Sequence, residues 1–158
     1  MLEDLTKELV VERYKFIQDK QKHLDSQMNS NVSLLVKIVV GTFSLVFAVF
    51  STHLKQPDVI SLPIATLVLK LSLIFIFATS SILLLITISN IFSWFGYRKD
   101  EVKLLSKFGG SFQRENPKLS NFLVWQETWF IFTLLLIIII ATFSWAERSF
   151  LISRLIIS

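Results

Sequence analysis

FLVWQETWFIFTLLLIIIIATFSW, residues 122–145, holds one ionisable side chain, Glu127, and an unbroken aliphatic run from Leu134 to Ile140. A helix needs roughly 20 apolar residues to cross about 30 Å of hydrocarbon. In lipid the backbone must satisfy its own hydrogen bonds, so a segment of this composition is expected to span as a helix. Two more stretches upstream read the same way. Leu34–Ser51 is a first span, with Lys37 near enough to its start to snorkel to the headgroups. Val59–Phe95 is apolar for longer than one perpendicular crossing requires, and Pro63 and Lys70 interrupt it. The sequence predicts an interfacial segment over 59–69 followed by a second span over 71–94, with one long tilted helix as the alternative.

The whole chain agrees with this reading. Its 158 residues are 53% hydrophobic and 18% charged, with a mean hydropathy of +0.61, more apolar surface than a soluble domain of this length can bury. The expected fold class is therefore an all-α integral membrane protein with about three transmembrane helices and an N-terminal amphipathic helix. The divisions are an arm over 1–31, two spans with a short outer link over 32–95, a basic loop over 96–120, the third span over 121–147 and an apolar tail over 148–158. The first thirty residues are polar and helix-forming, so no removable signal peptide is expected there. There is no cysteine, which excludes disulfides and thiolate chemistry.

Lys and Arg give the orientation. Lys7, Arg13, Lys15, Lys20 and Lys22 lie in the arm; Arg98, Lys99, Lys103, Lys107, Arg114 and Lys118 lie in the second loop. Against these stand Lys55 and Lys70 by the first loop and Arg148 and Arg154 in the tail. The bias places the arm and second loop in the cytoplasm of a cell bounded by a plasma membrane, the inner membrane if the source is bacterial. Trp94, Trp125, Trp129 and Trp145 fall near the inferred span ends, where aromatic rings collect. The net charge of +4 is explained by this flanking, so nucleic acid is not an expected partner.

The arm has no Gly or Pro from Leu2 to Met28 and carries two apolar stripes. One is Leu2, Leu5, Leu9 and Phe16. The other, Val10, Tyr14, Ile17, Leu24 and Met28, has heptad spacing with Gln21 as its polar interruption. That seam either lies against the protein's own loop or the membrane surface, or receives a cytoplasmic protein partner or a second copy. Asn29-Ser30-Asn31 either ends the arm helix or sits within one helix continuing into the membrane. Asp100–Phe108 is expected to be a short amphipathic helix stopped by Gly109-Gly110, and Asn116-Pro117 a turn.

Two membrane faces are candidates for assembly. Gly41, Ser44, Ala48 and Ser51 share one helical face of small residues, suited to close packing of helices. Ser72, Thr79, Ser80, Thr87 and Asn90 make a hydroxyl- and amide-rich face. Those hydroxyls either bond their own helix and Asn90 a neighbouring one, or several copies line a water-filled path with them. Glu127 is expected to be solvated at the headgroups or paired with Arg98 or Lys99.

No catalytic constellation is visible, and no metal or cofactor is expected. His23 and His53 fall on opposite sides of the inferred membrane, and the zinc-protease, serine-hydrolase and phosphate-loop motifs are missing. Glu12-Arg13-Tyr14-Lys15-Phe16-Ile17, with Lys20 and Leu24, resembles the juxtamembrane helix of small bacterial membrane proteins, some of them effectors of phage-defence operons. The resemblance covers the arm alone, implies a triggered membrane effector, and carries over no functional residue. The expected function is a non-enzymatic, homo-oligomeric pore-forming or membrane-perturbing protein triggered through its arm. The alternative is an anchor that recruits a soluble enzyme.

Overall fold

The computed structural model describes residues 2–116 and 125–157, with side chains over 5–116 and 125–146. Among the described residues the chain forms three α-helices and no strand: α1 (Leu2–Lys55), α2 (Leu62–Phe108) and α3 (Gln126–Ile157). Each is long and apolar enough to cross a bilayer. Little of their most apolar 18-residue windows is buried, 6% in α1, 22% in α2 and 17% in α3. Side chains such as Phe43, Phe47, Leu85 and Phe143 face outward, an arrangement stable only where the surrounding solvent is lipid. The chain is a multi-pass membrane protein.

The helices are longer and fewer than the sequence pattern implied. Asn29-Ser30-Asn31 lies inside α1, because none of the three residues forbids helical geometry. Pro63 does not divide the second apolar stretch. It occupies the first turn of α2, where a missing N–H leaves no bond unmade. Lys70 is interior to the same helix, so the separate interfacial segment over 59–69 is corrected to a link ending at Ser61 and the start of α2. The short helix over 100–108 is likewise the last part of α2. Gly96 does not break it, since one interior Gly costs only about 1 kcal/mol and good helix formers follow it. Most of the expected apolar tail belongs to α3. Pro117, Lys118, the start of the third span over 122–124 and the side chains of Arg148 and Arg154 lie outside the described residues.

Two compact units form. One comprises residues 31–85 and 130–158. Its α1 segment ends with Gln56 N donating to Thr52 O at 2.8 Å, and Pro57 lies in the turn that follows. The link folds back through Val59 N to Gln56 O at 3.0 Å and His53 Nδ1 to Ile60 O at 2.7 Å. Leu35, Ala65, Leu83, Phe130, Leu134 and Ala141 are its buried apolar side chains among the described residues.

The other unit comprises residues 1–30 and 86–129 and holds the N-terminal half of α1, the end of α2 and the first turn of α3. As expected, Gly109-Gly110 stops α2. Gly109 N donates to Leu105 O at 2.8 Å, Phe112 N returns to Gly109 O at 2.8 Å, and Gly110 takes φ +56°. A Cβ on Gly109 would stand 2.6 Å from Leu105 O and 2.9 Å from Phe112 O, both backbone atoms; one on Gly110 would meet open space. Gly110→Ala should therefore lower thermal stability by about 1 kcal/mol through its positive φ alone. Gly109→Ala should lower it further, which paired melts in detergent will check.

Candidate functional site

Glu101 organises the unit built from residues 1–30 and 86–129. Its side chain is fully buried near the end of α2, beyond the apolar run. Each oxygen accepts two hydrogen bonds. Oε1 takes Gln18 Nε2 at 3.0 Å and an Arg114 guanidinium N–H at 2.8 Å. Oε2 takes Gln21 Nε2 at 3.2 Å and Arg98 at 2.7 Å. Burial alone would raise the carboxyl's pKa. Hydrogen bonds from Gln21, Arg114 and Arg98, with Arg98's charge, outweigh it and hold Glu101 below its ordinary range.

This network explains Gln21, the polar break in the arm's heptad seam. Ile17 and Met28 are buried, and Val10, Tyr14 and Leu24 are partly so. The seam is thus turned into the protein, with Gln21 reaching α2 where an apolar residue would leave Glu101 short of a donor. Of the two readings of Val10, Tyr14, Ile17, Leu24 and Met28, this packing is the one against the protein's own chain, and a partner on that face draws no support from it. Outside the seam Arg13 bridges Asp100 at 2.8 Å across exposed surface, and Phe16 meets Tyr97 edge-on at 6.3 Å. Leu5, Leu9 and Phe16 of the other stripe stay exposed at 53%, 62% and 43%.

The same unit holds a cavity of about 230 Å³. Leu24, Met28 and Ile91 supply apolar wall, and Trp94 and Trp125 an aromatic one, their rings 5.4 Å apart. Asp25, Asn90 and Glu127 supply polar groups. Glu127 does not pair with Arg98, whose guanidinium is held by Glu101. Among the described residues neither Asp25 nor Glu127 has an ion-pair partner. Asn90 Nδ2 is buried without a hydrogen-bond partner, so it does not donate across helices as expected. Sequence reading weighed Glu127 and Asn90 separately and passed over Asp25; one on α1 and one on α3, the two acids share a cavity only through tertiary structure.

The hydroxyl face is largely covered within the chain. Ser72, Ser80 and Thr87 are buried, and Thr79 and Asn90 partly so. Ser81, not Ser80, bonds its own helix, at 2.8 Å to Phe77 O; Ser80 Oγ is buried without a partner. The small-residue face behaves oppositely. Gly41, Ser44 and Ala48 are exposed, Ser51 partly so, and a Cβ on Gly41 would meet nothing within 4 Å. His23 is exposed, and His53 serves the link described above.

Glu101→Leu should destabilise the protein by about 3 kcal/mol or more, since it strands the mostly buried Arg98; Arg114, half exposed, adds little. The pH dependence has a definite sign. A carboxyl whose pKa is lowered by folding stabilises fully above its ordinary value near 4.5 and progressively less as the pH falls below it. Melts of the wild-type protein should therefore drop in that window, and those of Glu101→Gln should be flatter there.

Comparison with protein-family models, curated proteins and solved structures finds no match to this chain.

Proposed function

We propose that this protein is a non-enzymatic membrane anchor that holds a soluble protein partner against the bilayer through the outward face of its N-terminal arm, which the lysine and arginine bias assigns to the cytoplasm. One observation carries the reading: the arm's heptad seam is occupied by its own chain, while Leu5, Leu9 and Phe16 stay exposed on a helix with ample charge to remain in water. An exposed apolar stripe rimmed by charge is the usual form of a helical recognition face. The burial of Ser72, Ser80 and Thr87 removes the main support for a pore lined by those hydroxyls.

A second reading, a homo-oligomeric pore or membrane-perturbing effector of the phage-defence type triggered through the arm, draws support from the open face at Gly41, Ser44 and Ala48. There a second copy's helix can approach closely.

Full-length protein purified from its host's membranes should retain a soluble protein in fixed stoichiometry. Leu5→Glu with Leu9→Glu should release it without loss of helicity, because neither side chain is buried. Absence of any retained protein, or its retention by the double variant, sinks the anchor. Planar-bilayer conductance by the purified chain, abolished by Gly41→Leu together with a fall in particle mass, would put the pore in its place.

A further inference from the structure

In the unit of residues 31–85 and 130–158 a groove of about 250 Å³ lies between α2 and α3. Leu73, Ile74 and Phe77 form its α2 wall and Thr142 and Trp145 its α3 wall, with the small, buried Ala141 between them. The one hydroxyl there, on Thr142, already donates to Ile138 O at 2.8 Å, which leaves an apolar surface. Such a groove accepts an acyl chain or another helix, and its walls alone favour neither.

Lys70 decides between them. Lys70, Leu73, Ile74 and Phe77 stand three, one and three residues apart and so share one face of α2. Lys70 is the only charged residue from Leu62 to Tyr97, and it has no ion-pair partner among the described residues. A cation beside hydrocarbon is costly until an anion or the headgroup layer neutralises it. Side chains on a helix lean toward its N-terminus, which carries the Lys70 ammonium away from the groove and toward the Leu62 end of α2. Trp145 marks the same level from α3. It closes that helix's apolar run, where aromatic rings meet headgroups, and shares the groove with Leu73 and Ile74. An apolar slot with an unneutralised cation one turn above it complements a lipid whose head is negative. A second copy's helix supplies no such charge, because residues 34–55, 62–97 and 128–146 contain no acid. A zwitterionic head brings a further cation, for which the groove offers no carboxylate.

We infer that this groove binds an anionic phospholipid, one acyl chain lying against Leu73, Phe77 and Trp145 and the phosphate paired with Lys70. The site uses spans that partner recruitment leaves inert, so it stands whether or not the arm holds a partner.

The test uses full-length protein with Trp94→Phe, Trp125→Phe and Trp129→Phe, which leave Trp145 as the one tryptophan, reconstituted in phosphatidylcholine vesicles. The probes are phosphatidylglycerol and phosphatidylcholine brominated on the acyl chain, which quench an indole they touch. The glycerol lipid should quench Trp145 with about fivefold higher apparent affinity. Lys70→Gln should remove that preference and Lys70→Arg should keep it. Equal quenching by the two lipids overturns the inference, as does quenching by neither, the result of a second copy covering the groove. So does a preference that survives Lys70→Gln, as it would if the chain's own acids neutralised Lys70, or one that Lys70→Arg also loses. Should the tryptophan substitutions cost helicity, native mass spectrometry of the chain with all four tryptophans decides. A phosphatidylglycerol retained by the wild type and Lys70→Arg but not by Lys70→Gln supports the site, and any other pattern overturns it.

Discussion

A buried carboxylate with all four acceptor positions filled is the constraint on which the unit of residues 1–30 and 86–129 depends. Glu101 draws one hydrogen bond from each of Gln18, Gln21, Arg98 and Arg114. Two come from α1, one from α2 itself and one from the chain beyond Gly110. Each donor fixes its own segment, so the register of α1 on α2 follows from this node as much as from the apolar seam. A hydrophobic seam alone tolerates sliding by a heptad; a charged group that must be fully solvated by protein does not. The neighbouring Arg13–Asp100 bridge, half exposed at both ends, adds little to stability but agrees with the same register.

Much of this was legible before the structure. Three spans followed from runs of apolar residues that no soluble core of this size can absorb, and the stop at Gly109-Gly110 from the geometry glycine permits. The heptad spacing of Val10, Tyr14, Ile17, Leu24 and Met28 correctly marked a packing face. Its partner was hidden, because Gln18 and Gln21 lie 83 and 80 residues from Glu101. Nothing local in the sequence separates a seam that meets its own chain from one that meets another.

The breakers were misjudged for a related reason. Pro63 is a helix breaker only in a helix interior, and in the first turn of α2 it breaks nothing. Gly96 and the charges after it look like a loop at the end of a span, yet Arg98, Glu101 and Lys103 favour helix, and Asp100 and Glu101 are tied down by tertiary contacts to α1. Local punctuation sets where a helix can end; tertiary contacts decide where it does. The cavity escaped sequence reading because Asp25, Asn90 and Glu127 come from three helices and acquire a common meaning only when folded.

The turn at Gly109-Gly110 has a consequence for how the protein can vary. Connecting segments ordinarily accept insertions and deletions freely, since their ends are held elsewhere and their middles touch nothing. Here the strand of chain leaving α2 is fastened at both ends within a few residues: at one by the left-handed Gly110, at the other by Arg114 on the Glu101 carboxylate. Residues 110–114 therefore act as a tether of fixed length, and lineages carrying this protein should hold that length constant while the sequence between its anchors drifts.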